Sequence, residues 1–145
     1  MRGVLSALVA LVAMAAAAQE ATDYTTVENP FQAEYEFASG QPIVMRVDIQ
    51  GVMVDSIAIT APGTLPPAGK ADCSVQVTGA NESGRKVTVT TVLLLEDAKG
   101  AGLERLSLAP FRAKSGRPIA TKQTVAVESA SLAAASRVYV FIKID

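Results

Sequence analysis

The sequence predicts an all-β chain: an antiparallel β-sandwich of about 7–9 short strands, preceded by a signal peptide. Three observations point there. Apolar residues recur at every second position through most of the chain. Clusters of Gly, Pro, Asn and Ser separate these runs at short intervals. Apart from one short alanine-rich stretch, helical periodicity is nearly absent, and strands with one apolar face must cover one another to exclude water.

The elements follow in order. Residues 19–30 are polar, contain Thr25-Thr26 and Asn29-Pro30, and read as a leader. Phe31, Ala33, Tyr35 and Phe37 then alternate with Gln32, Glu34 and Glu36, until Ser39-Gly40 interrupts. Ile43, Met45, Val47 and Ile49 alternate with Val44, Arg46 and Asp48, and Gln50-Gly51 marks a tight turn. In the next run the apolar parity switches between Val54 and Ile57, which predicts a β-bulge near Asp55-Ser56. The Pro- and Gly-rich segment from Pro62 to Gly69 is a loop.

A strand runs from Cys73 to Gly79, and Asn81-Glu82-Ser83-Gly84 turns the chain. Val87, Val89, Thr91, Leu93 and Leu95 form the inner face of the longest strand. The charged stretch Glu96 to Gly100 reads as a solvent-facing hairpin tip, with Leu103 to Leu108 as the return strand. Ala113 to Pro118 is a basic loop, and Thr121 to Glu128 another strand. Ser129 to Ser136 holds one helical turn, with Ser129 or Ser131 available as N-cap. The last strand, Arg137 to Asp145, sets Val138, Val140, Ile142 and Ile144 on one face and Tyr139 and Phe141 on the other. The two aromatics are expected beneath the first long strand, where Phe31, Tyr35 and Phe37 would meet them; a docking patch is the other reading.

Residues 73–128 carry a further pattern. A strand ends near Asn81, and a valine-rich strand holds Val87, Val89 and Leu95. A hairpin with Asp97 and Gly100 follows, then a return strand and a loop with Gly116. This stretch resembles secreted bacterial immunoglobulin-like or fibronectin type III-like domains, the FxLYD type in particular, with Glu96 in the place of that motif's aromatic. The resemblance implies an immunoglobulin-like sandwich used as an interaction or spacer module, without catalytic residues.

The N-terminus has a different character. Met1-Arg2-Gly3 is a short basic start, Val4 to Ala18 is apolar and small, and Ala16-Ala17-Ala18 precedes the polar Gln19-Glu20. That is the three-part layout of a secretory signal peptide, residues 1–18, with export to the periplasm or extracellular space as its consequence. The run falls short of the ~20 apolar residues of a comfortable membrane span, so no integral membrane segment is expected in the mature chain. Residues 31–145 then form one domain. Cleavage removes one base, Arg2, so thirteen bases against fourteen acids become twelve, and the formal charge moves from −1 to −2. With both signs scattered, nucleic acid is not an expected partner.

The residue types also restrict the chemistry. The chain has no His, which excludes His-based triads and the common catalytic zinc sites. Cys73, the single cysteine, shares the apolar parity of Val75 and Val77 and reads as a core thiol. Lys114-Ser115 lies in the basic loop and reads as solvated. Glu96 and Asp97 are sequence neighbours on a tip, not a pair across a cleft. Glu34 and Glu36 share an outward face with Gln32 and read as a solvated strand face or as edge protection. Asn81-Glu82-Ser83 matches a glycosylation acceptor by composition only. No catalytic, metal-binding or cofactor-binding residues are assigned, and no cofactor is expected. The expected function is contact with a protein partner, as an accessory, adhesive or assembly module, through surface loops or strand addition at an edge such as the segment from Asp23 to Phe37. A small-ligand or carbohydrate-binding exported domain is the alternative.

Overall fold

The computed structural model describes residues 23–145. The expected signal peptide, 1–18, and residues 19–22 of the leader lie outside the described residues. The chain forms β1 (Thr25–Val27), β2 (Phe31–Glu36), β3 (Ile43–Ile49), β4 (Val52–Thr60), β5 (Lys70–Asn81), β6 (Val87–Glu96), β7 (Gly102–Ser107), β8 (Phe111–Ala113), β9 (Pro118–Glu128), α1 (Ser129–Ala134) and β10 (Arg137–Ile144). These make an all-β sandwich of two five-stranded sheets. The first runs β1-β3-β4-β5-β9. The second runs β2-β10-β6-β7, with β8 also on β6.

The alternation in sequence places the core. Val52, Val54, Ile57, Ile59, Val75 and Val77 face inward from the first sheet, and Val89, Leu93, Leu95, Val138, Val140 and Ile142 from the second. Each is at most 2% exposed, so both inner faces are sealed along most of their length. Full burial of such a side chain is worth roughly 1.5–3 kcal/mol against leaving it in water. Cys73 lies in this core as expected, fully buried and unpaired.

The leader departs from its expected irregularity. Thr25–Val27 pairs in parallel with Val47–Ile49, the one parallel contact among the strand pairs of the described residues. β3 would otherwise end the sheet as an open edge, and two threonines and a valine suit an extended partner. The Asn29 side chain then anchors the passage to the second sheet. Its Nδ2 donates to Ile144 O at 2.8 Å, and its Oδ1 accepts from Ile144 N at 3.0 Å. β1 and β8, three residues each, bring the strand count above the expected range.

The expected bulge is present and doubled. Asp55 is extra between β4 and β5, where Val54 meets Gly79 and Ser56 meets Thr78. Opposite the same point, β3 carries Met45 and Arg46 between the pairs of Val44 and Val47. Arg46 takes a positive φ of 49° there. Gly79 is required at this kink, because a Cβ on it would collide with Met53 O.

Two local expectations are corrected. Neither Ser129 nor Ser131 caps α1. The N-cap is Glu128, with no side-chain capping bond, and the Ser129 hydroxyl is buried without a partner. Leu132 is buried, so α1 is fixed by packing and serves to carry the chain from β9 to β10. The hairpin tip is also shorter than the charged stretch suggested. Glu96 is the last residue of β6 and is 8% exposed, with Oε1 unbonded. The turn proper begins at Asp97, whose Oδ1 accepts from Lys99 N at 2.9 Å and Ala101 N at 3.0 Å.

Candidate functional site

The solvent face of the second sheet is the chain's most distinctive surface. Cross-strand register builds it in rows. Glu34 of β2 lies beside Tyr139 of β10, Tyr139 beside Leu94 of β6, and Leu94 beside Arg105 of β7. The next row on the same face is Gln32, Phe141, Val92 and Ser107. Side chains directly opposite on one sheet face have Cβ atoms ~5 Å apart, so four apolar groups meet at the centre. Val92, Leu94, Tyr139 and Phe141, with Arg105, line a shallow depression of about 240 Å³. All four are half-buried, and among the described residues only β6, β7 and β10 line the depression.

This corrects the expected burial of Tyr139 and Phe141 under the first long strand. That strand, β2, lies beside β10 in the same sheet. Its Phe31 meets Ile142 and its Tyr35 meets Val138, so these aromatics share the inward face with the valines. Gln32 and Glu34 are the residues that flank Phe141 and Tyr139. The period-two rule placed the residues on the correct faces, but side-by-side pairing in place of stacking put Tyr139 and Phe141 at the solvent.

Polar groups frame the depression. The Tyr139 hydroxyl donates to Gln32 Oε1. Arg137 pairs with Glu34 through Nη2 and Oε1, a contact between partly exposed groups. Lys143 Nζ lies 3.3 Å from Asp145 Oδ1 at the far end of β10. Beyond the ion pair, a more polar groove is bounded by Tyr35, Glu36, Ala98 and Ser136. Burial pushes the Tyr35 phenol above its ordinary pKa, so it stays a neutral donor through the physiological range.

Other singled-out residues have structural tasks. The Asn81 side chain is fully buried and completely bonded. Its Nδ2 donates to Arg85 O at 2.7 Å and Ala113 O at 3.0 Å, and its Oδ1 accepts from Ser83 N at 3.0 Å and Ser83 Oγ at 2.6 Å. An amide so engaged cannot accept a glycan without unfolding its turn. Burial, with smaller contributions from Asp72 and Glu104, raises the Cys73 thiol pKa, the opposite of what a reactive thiol needs. Lys114 and Ser115 are exposed in their turn. Among the described residues, no three Cys, Asp or Glu side chains gather to hold a metal ion. No helix among them is long and apolar enough to cross a membrane.

Two features escaped the sequence reading. Val92 and Leu94 are apolar at positions where β6 should present polar residues outward; the signal was a strand apolar on both parities through its second half. Arg85, Lys86, Arg112, Lys114 and Arg117 come from separate segments whose turns meet at Asn81, through Arg85 O, Ala113 O and Arg117 O. The basic loop from Ala113 to Pro118 is legible in the sequence, but its meeting with Arg85 and Lys86 is not, because segments distant in the chain make it.

No family model and no curated protein matches the chain. Among solved structures it is similar to a DUF1425 family member from Shewanella sp. pv-4, at 16% identity, with 72% of this chain and 95% of that one covered and a TM-score of 0.32. It is also similar to the Salmonella enterica trimeric lipoprotein SadB, at 12% identity over 97% of this chain and 70% of that one, with a TM-score of 0.33. Neither is described as an FxLYD-type domain, so that resemblance rests on residues 73–128 alone.

Proposed function

We propose that this chain is an exported, non-catalytic β-sandwich module that acts through protein–protein contact, with the solvent face of the second sheet as its contact surface. One observation carries the reading: Val92, Leu94, Tyr139 and Phe141 lie together, half-exposed, in the centre of an otherwise polar sheet face. Singly exposed apolar residues need no explanation, but a contiguous patch with a polar frame is the usual anatomy of an interface. Tyr and Arg, both present here, are enriched where binding energy concentrates. The shape favours a flat partner over a small molecule. The depression is about 240 Å³, below the ~300–1,000 Å³ of pockets that enclose a ligand. Export is supported by the composition of residues 1–20, and the non-catalytic reading by the lack of His and of any assigned acid pair.

A photo-crosslinking residue in place of Phe141, in cells that make the protein, tests this directly. It should yield a discrete protein adduct in the exported fraction. The same residue in place of Thr124, on the solvent side of β9, should yield none. Equal labelling from both positions, or none from Phe141, would overturn the assignment of the surface.

A further inference from the structure

We infer that the partner of this face is a second copy of the chain, docked face to face about a two-fold axis that runs along the strands between β10 and β6. The inference rests on the contact surface proposed above and adds its occupant. The sheet order β2-β10-β6-β7 makes the patch four strands wide with β10 and β6 at its centre. A two-fold axis in that position reverses the lateral order of each row and preserves its height. In the row Glu34, Tyr139, Leu94, Arg105, each copy's Glu34 then faces the other's Arg105, and each Tyr139 faces the other's Leu94. In the row Gln32, Phe141, Val92, Ser107, each Phe141 faces Val92 and each Gln32 faces Ser107. Every contact in both rows is complementary: carboxylate over guanidinium, aromatic over aliphatic, amide over hydroxyl. The one charged row therefore sets opposite charges against one another, and the other row is uncharged.

Arg105 gives this arrangement its direction. It is exposed at the β7 border of the patch, while Glu34, paired with Arg137 in its own chain, stands at the opposite border. The cross-copy approach of Arg105 would make Glu34 the centre of an Arg137–Glu34–Arg105 ion triad on each side of the axis. Aligned sheet packing also suits the geometry, since a two-fold axis close to the strand direction keeps the strands of the two sheets within ~30° of each other.

Four strands at ~4.8 Å by eight residues at ~3.4 Å span on the order of 500 Å². A standard interface buries ~800 Å² per partner, so this face belongs to the small, transient class and the dimer should be reversible. An isologous contact of this kind closes at two copies and does not propagate.

Sedimentation velocity on the folded domain from micromolar to millimolar concentration provides the test, with Arg105→Glu, Glu34→Lys and their mixture as variants. The wild type should pass from monomer to dimer. Each variant alone should lose at least ten-fold in self-affinity, because Arg105→Glu sets acid against acid and Glu34→Lys sets base against base. An equimolar mixture of the two should recover a heterodimer. There the two introduced charges are opposite in sign and face one another, and the unaltered Glu34 of one copy meets the unaltered Arg105 of the other. Circular dichroism and thermal unfolding establish that both exposed substitutions leave the fold intact. A wild type that remains monomeric, a dimer insensitive to both substitutions, a mixture that does not recover, or a trimer would each overturn the inference. If a monomeric wild type still gave a Phe141 adduct with a different protein, the contact surface would stand and only its occupant would be wrong.

Discussion

The two sheets share one core but differ in regularity and in what they present to solvent. The first sheet contains both bulges, the parallel edge strand and the positive-φ residues Arg46 and Gln50. Its outer face carries Ser56, Thr60, Ser74, Thr78, Lys122 and Thr124, all short or hydrated, and one well-exposed apolar side chain, Val44 beside Ser56. In the second sheet, β2, β10 and β6 stay in unbroken register, the β6–β7 pairing shifts only between Leu95 and Glu96, outside the two rows, and the outer face collects four large apolar side chains. Bulges turn side chains out of line, so an irregular sheet cannot keep a row of contacts straight across several strands. Unbroken register can. The contrast separates an irregular sheet with a mainly polar outer face from a more regular one with an apolar centre, the face proposed above for contact.

A pair of glycine substitutions probes that contrast with the largest expected effect. Gly79→Ala should destabilise the protein by about 3 kcal/mol or more, because the new methyl would collide with the Met53 carbonyl in the bulged region, where backbone must move. Gly102→Ala, at the border of the second sheet, meets only Leu94, with Cδ1 at 3.6 Å, an ordinary contact. It should change stability by no more than about 0.5 kcal/mol. Urea unfolding of both variants checks the difference. Similar losses would show that the bulge is not where the first sheet is constrained.

Asn81→Ala comes next. It strips partners from Arg85 O, Ala113 O and Ser83 N at the point where the end of β5 meets the end of β8. An unpartnered buried polar group costs ~1–3 kcal/mol, and part of this set can reach water, so a loss of about 2–3 kcal/mol is expected from the denaturation midpoint. The loss should be the same whichever sheet's signals are followed, because Asn81 ties the two together.

How much of this could be read from the sequence depends on the range of the cause. The bulge at Asp55, the buried Cys73 and the inward valines of β10 follow from parity along one strand, a local property. The sequence offers Asp23 to Phe37 as an edge but does not mark Thr25–Val27 as a strand, because its stabilisation comes from the open edge of β3, distant in sequence, and not from its own composition. Tyr139 and Phe141 were assigned the correct side of β10, but what lies over that side depends on which strand pairs and which stacks. Glu96 failed in the opposite sense: charge suggested a tip, while pairing with Arg137 of β10 and Gly102 of β7 drew it into the sheet. The surface we propose as functional is therefore the part least legible in the chain, since register assembled it from four strands.

Cys73 gives a smaller effect, confined to alkaline pH. Burial raises its thiol above the ordinary value of 9.0, so the unfolded chain loses that proton first. Ionisation then favours unfolding: the contribution is full below about pH 9 and is lost as pH rises towards the folded value. Stability should fall as pH rises above about 9, with a slope of up to ~1.4 kcal/mol per pH unit. Cys73→Ala should start lower, because the sulfur leaves a small void, but with a flatter profile in that window. Tyr24, raised chiefly by its hydrogen bond to Asp55, and Tyr35, raised by burial, have the same sign from an ordinary value of 10.0 and should extend the decline at higher pH in both proteins. An unchanged slope in Cys73→Ala would place the alkaline sensitivity outside the first sheet's core.

The smallest effect belongs to Asp97, at the end of the regular sheet. Its carboxylate accepts two backbone N–H groups, from Lys99 and Ala101, and Gly100 follows at a φ of +82°, which suits glycine. Removing the acceptor leaves donors that water can reach, so Asp97→Ala should cost only about 0.5–1 kcal/mol. The turn fixes where β7 begins, and β7 supplies Arg105 to the outer face. If register is set by the long β6 pairing, self-association of Asp97→Ala should equal that of the wild type at the same concentration. If the turn sets it, the small stability loss should be accompanied by a disproportionate loss of self-association. A shift of β7 by one residue would turn Arg105 to the opposite face of the sheet, away from the second copy's Glu34.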